Sequence, residues 1–299
     1  VKGLREYIRL WVVPLGTKTW LVDHCSIDPN KIVELQWWEQ IHLTKNKNSG
    51  NITVLNGKTG ENSHKKNSDG NITESSKRDD NGGYIDNDYS SIIGKYQYPQ
   101  ENNTLSKTEN MDDEVLTVTC CPSSHWCGRT LWDRNFRLWC SYAFLVPSSF
   151  NFFLCGDTGY PNKFPLFRQI GDALGPFDLA CIPIGAYEPQ EMNKDSHCNP
   201  DEALRIHKDL HSNRSIGIHW GSFQLAEESL GAPLRDLEEA IRREEEQEQK
   251  FGFDVKELSS PSPQYENSAQ FSSLINFGVL EHGGTLILKN EKSSSETTE

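Results

Sequence analysis

What constrains this chain most is a series of short apolar runs between Glu114 and about Leu230, each broken by Gly, Pro, Ser or Asp. Runs of that length bounded by turn-formers read as strands. They are Val115–Cys120, Leu138–Leu145, Phe150–Cys155, Leu179–Ile184 and Ser215–Ile218. Among them, Pro200–Lys208 reads as a helix. Asn199 is suited to cap it, Pro200 fits the first turn, and Asp201 and Glu202 face the positive end of the helix dipole. Leu234 to about Lys250 reads as a second helix, and Phe277–Leu280 as a last strand ending at Glu281-His282-Gly283-Gly284. Upstream, Tyr7–Gly16 reads as a strand closing in a turn and Ile32–Trp38 as another. Strands and helices interleave without internal repeat, which predicts an α/β or α+β chain with a mixed sheet.

The remaining stretches are of a different kind. Only 35% of the 299 residues are hydrophobic, below the globular norm of roughly 45–50%, and the shortfall is local. From Thr44 to Asp113 the chain is Asn, Ser, Lys, Gly and Asp. Such a segment buries too little to offset its ordering entropy, so it is expected to be a disordered insertion. A second polar insertion is expected near 244–274. The domain then comprises 1–43 and 114–299, interrupted by 44–113. A net charge of −13 argues against nucleic acid as partner, because phosphate binding needs basic surface. It does not exclude membrane contact through apolar surface. No apolar run approaches the roughly 18–20 residues of a transmembrane helix. The eight Cys form no CxxC pair, and Cys120, Cys140, Cys155 and Cys181 lie in or beside apolar runs. Buried thiols in a reducing compartment are expected.

Three polar residues sit where predicted strands end: His125 in Ser124-His125-Trp126-Cys127, Asp157 in Gly156-Asp157-Thr158-Gly159, and His219 in His219-Trp220-Gly221. Strand ends are where such scaffolds present functional side chains. Two imidazoles and a carboxylate suit zinc, and a carboxylate can bridge two metals. Singly, none is specific. A lone His after a strand is more often a satisfied surface or core residue, and Gly-Asp-Thr-Gly is more often only a turn.

Together they carry a resemblance. The chain resembles the N-acyl-phosphatidylethanolamine-hydrolysing phospholipase D branch of the metallo-β-lactamase superfamily. The likeness lies in Gly156-Asp157-Thr158-Gly159-Tyr160, Gly175-Pro176-Phe177-Asp178-Leu179-Ala180 and Ile182-Pro183-Ile184-Gly185-Ala186-Tyr187-Glu188-Pro189. It continues in His125-Trp126-Cys127, Ile218-His219-Trp220-Gly221 and Val12-Val13-Pro14-Leu15-Gly16. The resemblance implies an α+β fold, the αββα sandwich. It implies a site for two zinc ions with His125, Asp157 and His219 as ligands, and His197 and His282 as acid–base or orienting groups. Arg129, four residues after His125, is a candidate to contact a phosphate, although such an Arg alone is more often a surface charge, and Tyr187 is the other candidate on the substrate side. The expected reaction releases N-acylethanolamine and phosphatidic acid from a phospholipid, by a protein lying peripherally on the cytoplasmic face of an intracellular membrane, with a homodimer implied. The family's His-x-His-x-Asp-His motif is absent from the chain. With Val1 at its start, the chain is therefore expected to lack the N-terminal part of the domain. The rival expectations are a same-fold hydrolase of another small substrate, and a non-catalytic piece with a binding or regulatory role.

Overall fold

The computed structural model describes residues 1–45, 52–59, 115–146, 149–250, 270–271 and 275–288. The chain divides into two compact units, Val1–Leu145 with Pro161–Leu166, and Val146–Tyr160 with Phe167–Glu299. Strands and helices mix in an α+β arrangement.

In the first unit, β1 (Trp11–Pro14) runs parallel to β2 (Ile32–Leu35), with Trp11 opposite Ile32 and Pro14 opposite Leu35. The connection is α1 (Thr17–Cys25). Gly16 enters it at φ +86, a left-handed conformation that glycine adopts without steric cost. Lys18 then ties the helix to β2, its backbone N–H donating to Glu34 (2.6 Å) and its ammonium to the Ile32 carbonyl (3.1 Å). Val13, Leu21, Cys25, Ile27 and Ile32 form the small core beneath, with Trp11, Trp20 and Val22 packed against it. The antiparallel sheet of this unit follows the order β4 (Ile52–Thr59), β3 (Gln40–Lys45), β5 (Val115–Cys121), β6 (Ser141–Val146). Its buried polar side chains pair across strands, Gln40 donating to Thr119 (3.0 Å) and His42 bonding Thr117 (2.9 Å), as burial of such groups requires.

Several sequence expectations need correction here. The strand predicted over Tyr7–Gly16 is confined to Trp11–Pro14, and Tyr7 is 83% exposed. The strand predicted from Ile32 stops at Leu35, because Trp38 takes φ +71 and turns the chain. The disordered insertion does not begin at Thr44. β3 runs through Lys45, and β4 lies wholly inside the stretch read as disordered. Backbone pairing with β3, Leu43 opposite Val54 and Thr44 opposite Thr53, holds a strand whose mean composition is polar. Residues 46–51 and 60–113 lie outside the described residues. The second polar insertion does not begin at 244 either, because a helix continues to Lys250. Its segment 251–269 also lies outside the described residues.

The second unit is a mixed sheet in the order β7 (Phe150–Leu154), β8 (Leu179–Pro183), β9 (Ser215–Ile218), β11 (Phe277–Val279), β10 (Gln270–Phe271). All pairs are parallel except the last. Parallel strands need covering and read as near-continuous apolar runs, which is how β8 and β9 stood out in the sequence. The connections carry α2 (Leu166–Leu174), α3 (Gln190–Asn193), α4 (Pro200–Asp209) and α5 (Ala232–Lys250). The cap expected for α4 is present as a full capping box, Asn199 and Glu202 each bonding the other's backbone N–H. Phe153, Phe167, Phe177, Ile182, Ile206 and Phe277 are fully buried. Among the described residues no helix is long and apolar enough to cross a membrane.

Candidate metal centre

The second unit brings Asp157 and His219 into contact. Asp157 follows β7 and His219 follows β9. Asp157 Oδ1 stands 3.1 Å from His219 Nε2, with the imidazole largely buried and the carboxylate half-exposed. The hydrogen bond to Asp157 raises the His219 pKa above its usual value, against the opposing pull of burial. His219 has φ +61, strained for a residue with a Cβ. Glycines on either side leave room for it and for His282. A Cβ at Gly185 would collide with the His219 carbonyl, and Gly221, at φ +76, leaves room for the His282 ring 3.1 Å from where its Cβ would sit.

The turn Gly156-Asp157-Thr158-Gly159 also positions a neighbour. A Cβ at Gly159 would collide with the backbone of Lys194 and Asp195. Cys198 N–H donates to the Thr158 carbonyl at 2.8 Å. These close approaches carry the Asp195–Asn199 loop onto the site, so that the His197 ring meets the His219 ring edge-on with centroids 5.4 Å apart. His282 is exposed. Its Nε2 lies 2.9 Å from the Ser222 hydroxyl, and its ring is 6.3 Å from that of Trp220. Tyr187 is buried, and its hydroxyl donates to Asp236 on α5. That bond and burial push its pKa up. The hydroxyl expected on the substrate side is thus engaged with the scaffold.

His125 and Arg129 belong to the first unit. His125 Nδ1 lies 2.7 Å from the Trp126 carbonyl, which can only accept, so Nδ1 carries the hydrogen. In the neutral ring this makes Nε2 the lone-pair nitrogen, the form that ligates metal. The Arg129 guanidinium lies over the Trp20 ring at 4.9 Å.

Sequence reasoning missed Glu228. Its carboxylate accepts from the N–H of Ala186 (2.6 Å) and of Glu188 (3.0 Å), clamping the turn that carries Gly185. Nothing in the polar run Ala226-Glu227-Glu228-Ser229 marks it. Gly185, Ala186, His219, Trp220, Phe223 and Glu228 line a shallow, open depression beside the pair.

The separation of Asp157 Oδ1 and His219 Nε2 is that of a hydrogen-bonded pair and is also compatible with two donors on one divalent ion. Two ligand atoms at roughly 2.0–2.1 Å from a tetrahedral zinc stand about 3.3 Å apart, close to the separation found here. Among the described residues, however, no group of three or more His, Cys, Asp or Glu is poised to hold a metal.

A profile of the Beta-lactamase superfamily domain matches residues 88–220, a span that contains His125, Asp157, His197 and His219. The outer membrane protein RomA of Klebsiella pneumoniae is 38% identical over 108 residues, which are 76% of that protein and 36% of this chain. The chain belongs to the metallo-β-lactamase superfamily. Within this superfamily of metal-dependent hydrolases, it is 46% identical over 112 residues to N-acyl-phosphatidylethanolamine-hydrolyzing phospholipase D 1 of Caenorhabditis elegans. That match is 38% of this chain and 31% of the nematode protein. It is also 27% identical over 230 residues to the mitochondrial N-acyl-phosphatidylethanolamine-hydrolyzing phospholipase D of Saccharomyces cerevisiae, 77% of this chain and 34% of that one. The chain thus spans about a third of the length of these relatives.

Proposed function

We propose that this metallo-β-lactamase chain serves a zinc-dependent phospholipase D that hydrolyses N-acyl-phosphatidylethanolamine at a membrane surface. The observation that carries the reading is the Asp157–His219 contact at strand ends, inside the segment that matches the family. Two relatives bearing that enzyme's name support the substrate. Asp157 and His219 of the second unit would hold the metal, and His125 is a ligand on the strength of the family resemblance alone. Zinc, when bound, polarises a phosphoryl oxygen and makes water more acidic.

The chain's own residues do the rest. His197, whose ring lies edge-on to His219, would orient the phosphodiester or move a proton. His282, bonded to the Ser222 hydroxyl, would be a second proton carrier. Arg129 is the cation expected to face a phosphate oxygen. In the balanced reaction water adds to phosphorus, the P–O bond to the N-acylethanolamine breaks, and that alcohol takes up a proton. Phosphatidic acid is the other product.

The test joins the chain behind a segment bearing a His-x-His-x-Asp-His motif and supplies zinc and labelled N-acyl-phosphatidylethanolamine. Release of N-acylethanolamine with phosphatidic acid is expected from the joined protein, and none after Asp157→Asn. Release of diacylglycerol, or turnover unaffected by the substitution, would show the reading to be wrong.

A further inference from the structure

The first unit displays an apolar tip that nothing above uses. In the loop Trp126–Arg137, Leu131 is 91% exposed and Trp132 84%. Two neighbouring bulky apolar residues so far in water are costly unless something else buries them.

The loop is built to hold that tip out. Asp133 accepts from the N–H of Arg129 (2.8 Å) and of Thr130 (2.6 Å), which hold its carboxyl down to about 2. At the base, Asn135 N–H donates to the Cys127 carbonyl (2.7 Å) and Cys127 N–H to the Asn135 side chain (3.2 Å). Asn135 itself sits at φ +59, buried. A floppy loop would fold its Leu and Trp back. This one is pinned on both sides of the apex.

Charge says what the tip meets. The loop holds Arg129, Arg134 and Arg137 against a single acid, Asp133, in a chain of net charge −13. Arg137 is paired with Asp133. Arg129 lies over Trp20 and Arg134 over Trp126, each 4.9 Å from the ring centroid. A cationic collar therefore surrounds an aliphatic–aromatic apex. An apex to enter the acyl boundary and guanidiniums at headgroup level suit a bilayer containing anionic lipid. A single-stranded nucleic acid asks instead for successive aromatic platforms along a basic groove, and Leu131 offers no ring.

We infer that the Leu131–Trp132 tip, with its Arg129 and Arg134 collar, is a membrane-docking loop that inserts into the surface of bilayers carrying anionic phospholipid. The inference deepens the membrane part of the function proposed above, but its readout needs neither metal nor catalysis.

The experiment is sedimentation of the full chain with phosphatidylcholine vesicles, with and without phosphatidylserine and free of N-acyl-phosphatidylethanolamine, alongside tryptophan emission. The chain is expected to partition onto phosphatidylserine vesicles with a blue shift. The double substitution Leu131→Ser/Trp132→Ser should lower partition by about tenfold or more, with circular dichroism and melting unchanged. Arg134→Gln should lower it by about fivefold. Binding that survives the double substitution, or a wild-type chain that ignores the vesicles, overturns the inference. So does a wild-type dimer dissociated by the double substitution, which assigns the tip to a second copy. A joined enzyme that hydrolyses lipid in detergent yet never binds vesicles overturns this inference alone. Vesicle binding without any hydrolysis overturns only the proposed function.

Discussion

His219 Nε2 and Asp157 Oδ1, 3.1 Å apart, are joined across the ends of two strands that are not neighbours in the sheet, because β8 lies between β7 and β9. Without metal the pair shares a proton. The folded His219 pKa is raised above 6.5, chiefly by its bond to Asp157. Stability gained from the pair is therefore present below about pH 6.5 and is lost as pH rises through the folded value. Asp157→Asn removes the charge and weakens the acceptor, so the His219 pKa should fall. Nuclear magnetic resonance titration of the metal-free chain reads it directly, and an unmoved His219 would count against the contact.

His207 gives acid sensitivity of the opposite sign. It is buried on α4, with Nδ1 2.8 Å from the Ser215 hydroxyl and its ring 5.7 Å from that of Phe277. Burial lowers its pKa from 6.5 to about 4. Between those values the unfolded chain binds a proton that the folded one refuses, so stability falls as pH drops from about 6.5 to about 4. The size is about 3 kcal/mol. His207→Gln should remove that part of the pH dependence. Urea midpoints at pH 7 and pH 4 for both proteins measure it, and parallel losses would clear His207.

What the sequence made legible was whatever local chemistry alone determines. The buried parallel strands β8 and β9 stood out as apolar runs, and α4 announced itself through Asn199, Pro200 and Glu202. Asp157 and His219 were legible because strand ends point them outward. α1 was not, since Gly16 rather than Ser or Asp precedes it and Thr17, Thr19 and Val22 are weak helix formers. Tertiary bonds from Lys18 to β2 hold it instead. β4 was hidden because mean composition outweighed the Ile52-Thr53-Val54 core of a pairing strand. Glu228 had no local signature, because its acceptor role exists only once a turn some forty residues upstream has folded against it.

Gly185 is the residue whose side chain the site cannot accept. A Cβ there would strike the His219 carbonyl. Gly185→Ala should displace His219 from Asp157 and cost about 1–3 kcal/mol of stability. Glu228→Ala strands the N–H groups of Ala186 and Glu188 and should cost about 1–3 kcal/mol as well. In the chain joined to a His-x-His-x-Asp-His segment, the two should differ in Co²⁺ binding, followed by its visible absorption, with the loss greater for Gly185→Ala because it moves a donor directly. Wild-type Co²⁺ spectra from Gly185→Ala would mean that His219 is not a ligand.

The chain by itself should hold zinc poorly. Structural zinc sites use four protein ligands and catalytic ones usually three. The second unit supplies a contacting pair, Asp157 and His219, and no larger metal-holding group occurs among the described residues. The sequence has no His-x-His-x-Asp-His to complete it. Binding also requires zinc to displace the proton that the raised His219 pKa retains, so affinity should weaken as pH falls. Elemental analysis after dialysis should give well under one zinc per chain, with no release of N-acylethanolamine from labelled lipid. Competition against a chromophoric chelator should show the affinity rising from pH 6 to pH 8. Joining a His-x-His-x-Asp-His segment should restore tight binding and, on the proposed function, turnover. If the chain alone retained two zinc ions and turned over lipid, another group in it would have to replace that motif, and the ligand set drawn from His125, Asp157 and His219 would need to be redrawn.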